Sequence, residues 1–322
     1  MLSISAEQLD RALTFPTLVD ALDTAFREGA VQPVRHHHTI ERGRGANSTL
    51  LLMPAWTDFK SRTRGEGFAG VKIVTVSPDN GAIGKPAVVG VYLLLDGVTG
   101  EPLAMMDGPR LTQWRTACAS ALAARYLARE DASRLFMIGA GAQARFLVRA
   151  HAAVRPIREI RIWNRSAASA ETFAAELVAD GYTAMVETEL DRGVEWADII
   201  SAATIASEPL ISGERLRTGA HVDLVGGFTP AMREADDATV RRARIFVDTL
   251  AGAMVEAGDI VQPIEAGTIA PDAVLDDLHG LARGRHKGRA SADEITLFKS
   301  VGAALEDLTA GIEVYKAFKP LG

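Results

Sequence analysis

Apolar side chains recur in steps of mostly four residues near the start of the chain, at Leu9, Leu13, Leu18, Leu22 and Phe26, which predicts helix between Ala6 and Glu28. Pro16 lacks the N–H that a helix interior needs, so two short helices are expected rather than one. The pattern then changes. Gly70 to Val76 and Ala87 to Leu95 are dense in Val, Ile and Leu, and the turn formers Ser77-Pro78-Asp79-Asn80-Gly81 stand between them. A second turn at Gly97 to Gly100 leads into Pro102 to Met106, which completes a small antiparallel sheet. Helix returns from Leu111 to Arg129, where Ala117, Ala119, Ala121, Ala123 and Ala124 are strong helix formers.

From Ser133 the rhythm alternates. Arg134 to Ile138 and Glu159 to Trp163 read as strands, while Ala142 to Ala153 and Ala167 to Ala179 read as helices. Further short β-type runs at Asp198 to Ala203, His221 to Val225 and Ile245 to Asp248 extend a doubly wound parallel sheet. Ile295, Phe298, Val301, Leu305 and Leu308 form an apolar stripe that predicts one last helical stretch from Ser291 to Phe318. There is no internal repeat.

Composition narrows the class. With 322 residues, 48% hydrophobic and 24% charged, the chain is long enough for two domains with substantial cores. A formal charge of −6 gives no global positive field, so no nucleic-acid partner is expected. The longest apolar run, about Val88 to Leu95, falls well short of the roughly 20 residues of a membrane helix, so no membrane partner is expected. The N-terminus lacks the basic flank and apolar block of a signal peptide. Cys118 is the single cysteine; with no intrachain disulfide to form, a cytoplasmic location is the expectation.

Candidate chemistry begins at Gly139-Ala140-Gly141-Ala142-Gln143-Ala144, which follows a predicted strand and opens a predicted helix. In a dinucleotide-binding turn Gly139 permits the tight bend, Gly141 lets the backbone approach a pyrophosphate, and Ala144 permits close helix–strand packing. About 20 residues on, where an acidic side chain would hold the ribose of NAD, the sequence reads Trp163-Asn164-Arg165-Ser166. Arg165 and Ser166 suit a 2′-phosphate, so NADP(H) is expected over NAD(H), with NAD(H) still usable. Arg35, Lys72 and Arg115 are cations in or beside predicted elements, and together they suit a small carboxylate; the alternative for each is an ion-paired or surface residue. His36-His37-His38 is too compact for a rigid metal site within one strand, and no metal is expected. Asp107 reads as a turn or cap residue. Arg283 to Arg289 reads as a solvated basic loop.

Taken in order, Gly70-Val71-Lys72-Ile73-Val74, Met106-Asp107-Gly108, Arg115-Thr116-Ala117, the Gly139 to Ala144 loop, Trp163-Asn164-Arg165, Thr204 to Pro209 and Phe298-Lys299-Ser300-Val301-Gly302 resemble the ornithine cyclodeaminase/mu-crystallin family over nearly the whole chain. The resemblance implies an α/β protein: a Rossmann domain with a doubly wound parallel sheet at 118–291, plus an α+β substrate and dimerisation domain at 1–117 and 292–322, assembled as a homodimer. It implies substrate-carboxylate contacts from Arg35, Lys72 and Arg115, with Lys72 also expected at the reacting centre. It implies cofactor contacts at Gln143, Asn164, Arg165, Ser166, Thr204, Ile205, Val225, Phe228 and Ser300.

The departures from the family pattern bear on the reaction. Cyclodeaminases carry an aspartate after a Gly pair and a glutamate before Leu-Met-Pro; here Phe228 and Leu51 stand at those places. Neither transfers a proton, which disfavours ornithine cyclodeaminase or alanine dehydrogenase activity. The pattern is closer to the ketimine reductase branch, which reduces cyclic imino acids such as Δ1-pyrroline-2-carboxylate, with the six-membered Δ1-piperideine-2-carboxylate as a second substrate. The alternative is a non-catalytic, mu-crystallin-like binding protein; gathered cations favour the enzyme.

Overall fold

The computed structural model describes residues 1–59 and 67–319. The chain divides into two compact units, Met1–Arg115 with Ala303–Gly322, and Thr116–Gly302. Among the described residues, the first unit holds strands β1 (Leu2–Ile4), β2 (His36–Ile40), β3 (Ser48–Trp56), β4 (Phe68–Val76), β5 (Val88–Asp96) and β6 (Pro102–Asp107). They form one sheet in the order β1-β6-β5-β4-β3-β2, antiparallel except for the β1–β6 pair. Helices α1 (Ala6–Ala12) and α2 (Phe15–Glu28) split where Pro16 predicts. Ser5 and Gln8 form a reciprocal capping box on α1, and the Thr14 hydroxyl accepts from Thr17 N on α2, so each start satisfies donors that a helix terminus leaves open. Leu18, Val19, Leu22 and Phe26 bury the inner face of α2 against the C-terminal helix, Ala304–Phe318.

Strands β2 and β3 escape the periodicity reading. Pro54 sits inside β3, where a missing N–H usually argues against a sheet. It is tolerated because the β2 ladder ends at Leu52 and the next bond on that edge is from Trp56 N to Val31 O, so no ladder partner is lost at Pro54. Helix α3 (Gly108–Leu127) begins where the Asp107 carboxylate accepts from Arg110 N at 2.7 Å, the cap that its sequence position predicts.

The second unit contains β7 (Arg134–Ile138), α4 (Ala142–Val154), β8 (Glu159–Trp163), α5 (Ala167–Ala179), β9 (Thr183–Val186), α6 (Leu190–Trp196), β10 (Ile199–Ala202), β11 (His221–Leu224), α7 (Asp237–Arg242), β12 (Ala243–Val247), α8 (Leu250–Glu256), α9 (Gly258–Glu265), β13 (Val274–Asp277), α10 (Leu278–Ala282) and β14 (Ile295–Lys299). Its eight-stranded sheet runs β13-β12-β14-β11-β10-β7-β8-β9 and every pair is parallel. This is the doubly wound sheet expected from the alternation. Its winding reverses between β7 and β10, and in such sheets the crevice beyond the strand ends at that point takes the ligand.

The expected helix from Ser291 to Phe318 is corrected. Ile295–Lys299 is a strand inserted between β11 and β12, and helix starts only at Ala304. All five residues of β14 are buried. A strand covered on both faces has no polar alternation to distinguish it from a buried helix. The expected boundary at 292 therefore moves to 303, and the one at 117 moves to 115. The basic loop is also corrected at Arg289, which donates to the carbonyls of Leu127, Gly219, Ala220 and Glu294; burial lowers its pKa to about 10. Among the described residues no helix is long and apolar enough to cross a membrane.

Candidate active site

Lys72 lies mid-way along β4, directly opposite Met53 on β3 and Tyr92 on β5. Opposed residues share a sheet face, and the C-terminal helix packs on these strands. Lys72 is 3% exposed. An ammonium at that depth needs a counter-ion, and Asp307 supplies it, with Oδ1 3.0 Å and Oδ2 2.9 Å from Nζ. Arg115, on α3, donates from Nε to the same Oδ1 at 3.0 Å and from Nη1 to Glu306 Oε2 at 2.7 Å. Burial lowers the Lys72 pKa to about 8, and the Arg115 and Arg35 charges act in the same direction against the opposing pull of Asp307. Arg35, the third predicted cation, is half-buried just ahead of β2. Lys72 and Arg115 are thus ion-paired, the alternative that each position allowed, and all three cations belong to the same unit.

Glu306 and Asp307 are members of this cluster that pattern reading misses. Both are fully buried, yet acidic residues in a first helical turn ordinarily read as dipole partners facing water. The available signal is that they interrupt the apolar stripe between Leu305 and Leu308. Tyr92 is a second omission. It is buried, its hydroxyl has no hydrogen-bond partner among the described residues, and burial, helped by the Asp307 carboxylate, raises its pKa well above the usual phenol. Two glycines make room for its ring and hydroxyl: a Cβ on Gly70 would lie 2.0 Å from the Tyr92 oxygen, and one on Gly311 would lie 2.5 Å from the ring. Leu51 is half-buried on the same face of β3 as Met53 and adds no acid to the cluster.

In the second unit, Gly139 bends away from the end of β7 with φ +112°, a conformation that favours glycine. Gly139 N donates to Trp163 O at 2.8 Å, and a Cβ there would come within 2.8 Å of Ala203 O. Gly141 is the N-cap of α4 and provides no side-chain cap; a Cβ on it would meet nothing within 4 Å. Open space before uncapped helical N–H groups suits a pyrophosphate, so the residues present fit a dinucleotide. Ala144 is fully buried, as close packing requires, and Gln143 is half-buried in the same turn.

Asn164 Oδ1 accepts from Ala140 N at 3.3 Å, and its Nδ2 donates to Ser166 O at 3.1 Å, tying the glycine turn to the end of β8. Arg145, which sequence reading passed over, donates to Ala140 O and Gly141 O at 2.8 and 3.1 Å and is itself fixed by Glu176. Arg165 is exposed, and no carboxylate stands at the end of β8. The Ser166 oxygen accepts from Ser169 N at the start of α5. Thr204 is half-buried, whereas Ile205 and Phe228 stand 75% and 47% exposed. Val225 donates its N–H to Ala202 O. Ser300 is buried with its hydroxyl given to Asp248 Oδ2 at 3.0 Å.

A doubly wound sheet with an open glycine turn at its winding reversal, in a chain that also carries an α+β unit with buried, carboxylate-countered cations, defines a dinucleotide-binding α/β protein of two units. More particularly, the chain belongs to the ornithine cyclodeaminase/mu-crystallin family, whose model matches residues 3–320. It is 38% identical to a Delta(1)-pyrroline-2-carboxylate reductase of Paracoccus denitrificans, over 90% of this chain and 92% of that one. It is 35% identical to the reductase of the same name from Colwellia psychrerythraea, over 97% of each. Among solved structures, Thermococcus litoralis Delta(1)-pyrroline-2-carboxylate reductase in complex with NADH and L-proline superposes with a TM-score of 0.91 at 34% identity, covering 98% of this chain and 97% of that one.

Proposed function

We propose that the protein reduces a cyclic imino acid, Δ1-pyrroline-2-carboxylate to L-proline and, as a second substrate, Δ1-piperideine-2-carboxylate to L-pipecolate. The observation that carries this reading is the buried cluster of Lys72 and Arg115, with Arg35 in range, in a chain with Leu51 and Phe228 at the family's acidic positions. The cations suit the substrate carboxylate, arginine by its planar fork and lysine by a compact charge. Reduction of a preformed imine needs orientation and a proton for nitrogen, and it dispenses with the acid/base pair that deamination requires. When bound, the reduced dinucleotide supplies the hydride to the imine carbon. Lys72 touches the reacting centre, directly or through water: its pKa of about 8 lets it exchange a proton near neutral pH, while Asp307 holds Nζ in place.

NADP(H) is the preferred carrier in this reading, with NAD(H) also used. The support is Arg165, exposed and, among the described residues, without an ion pair, beside a β8 end that lacks a carboxylate. A homodimer built through the first unit is part of the same proposal. Steady-state assays with each imino acid, and with NADPH and NADH in turn, test it. Turnover of Δ1-pyrroline-2-carboxylate with a lower KM for NADPH is expected; activity with ornithine alone would overturn the substrate assignment, and a lower KM for NADH the cofactor preference.

A further inference from the structure

Beyond the predicted cofactor contacts, the second unit holds a buried acid that no motif singled out. Glu234 is fully buried, 0% exposed, between the segments that leave β10 and β11. Its Oε1 accepts from Thr204 N at 2.7 Å and from Thr204 Oγ1 at 2.8 Å. Its Oε2 accepts from Gly226 N at 2.8 Å and Gly227 N at 3.4 Å. Each oxygen accepts from a backbone N–H, and the ionised carboxylate, which only accepts, satisfies all of these bonds. The two segments meet tightly: a Cβ on Gly226 would lie 1.9 Å from Thr204 O.

Glu234 is itself held in place. Its N–H and that of Ala235 donate to Asp259 Oδ1 at 2.7 and 3.0 Å, and Lys299 Nζ stands 3.0 Å from Asp259 Oδ2 with both side chains fully buried. Burial and the Asp259 charge raise the Glu234 pKa, and Lys299 opposes them. Lys299 ends β14, one residue before Ser300. A single carboxylate therefore joins the Thr204–Ile205 segment to the Val225–Phe228 segment, and its support reaches the strand that leads to Ser300.

We propose that Glu234 is a positioning residue for the dinucleotide: it clamps the loops after β10 and β11 so that Thr204, Ile205, Val225 and Phe228 present a fixed surface to the cofactor. The proposal rests on the dinucleotide-binding reading given above. Glu234→Gln keeps the shape but places an amide NH2 against the donors of one loop or the other, so one segment is released whichever way the amide lies. Losing charge-assisted bonds of this kind is expected to weaken NADPH and NADH binding about tenfold or more, measured by fluorescence titration without imino acid. KM for Δ1-pyrroline-2-carboxylate at saturating dinucleotide is expected to change less than threefold. Hydrogen exchange is expected to quicken in residues 203–210 and 226–233 while β7 and β10 keep wild-type protection. Glu234→Asp, which retains the charge with a shorter reach, is expected to fall between wild type and Gln in affinity, and it carries the test if Gln does not fold. Wild-type dinucleotide affinity in the variant that folds overturns the clamp; a wild-type protein that binds neither dinucleotide overturns the reading on which it rests.

Discussion

At Lys72, a pKa near 8 has consequences in two experiments. A step that needs the protonated ammonium is lost as pH rises through about 8, whereas an ordinary lysine would hold its proton to about 10.4. Turnover in a pH–rate profile is therefore expected to fall on the alkaline side from about pH 8. Lys72→Met is expected to lower kcat at least about a hundredfold with dinucleotide binding intact by titration; undiminished turnover would remove Lys72 from the chemistry. For stability the sign is different. The folded protein releases the Lys72 proton before the unfolded chain does, so between about pH 8 and the ordinary lysine pKa this residue makes stability rise with pH. Asp307→Asn leaves two cations in the core short of a counter-charge, and a loss of about 3–5 kcal/mol in denaturant unfolding is expected.

Among the elements, the glycine turn after β7 is the most constrained. Gly139→Ala forces a side chain into a positive-φ position and against Ala203 O. A cost of about 1–3 kcal/mol in unfolding free energy, together with weaker dinucleotide binding by titration, is the expected result; wild-type affinity and stability would contradict the strained turn. This part of the site was legible in the chain, because strand, turn and helix are consecutive residues whose spacing carries the information. Arg145 was not, since its bonds to Ala140 O and Gly141 O depend on a helix already built. Strand β3 was hidden by Pro54, whose tolerance depends on where β2 stops. Strand β14 was hidden because complete burial removes the alternation by which a half-exposed strand is recognised.

Over the whole molecule, the first unit is assembled from both ends of the chain. The C-terminal helix brings Glu306 and Asp307 to Lys72 and Arg115, and it covers the face that holds Met53 and Tyr92. A chain ended before Ala304 is expected to lose the cooperative unfolding of the first unit and all imino-acid turnover, while circular dichroism retains the helix and strand signal of the second; an unaltered melting profile would refute that dependence. What residue order settled by itself were the features whose determinants are local: the helix break just ahead of Pro16, the β–α alternation after Ser133, the glycine turn, and apolar residues at Leu51 and Phe228. Tertiary structure alone decided the counter-ions. Lys72 and Asp307 are 235 positions apart, and Arg115 and Glu306 are 191 apart. A buried charge demands a partner, but that demand does not say which carboxylate answers it; the choice is made when the sheet and the C-terminal helix pack and bring Glu306 and Asp307 to the buried cations.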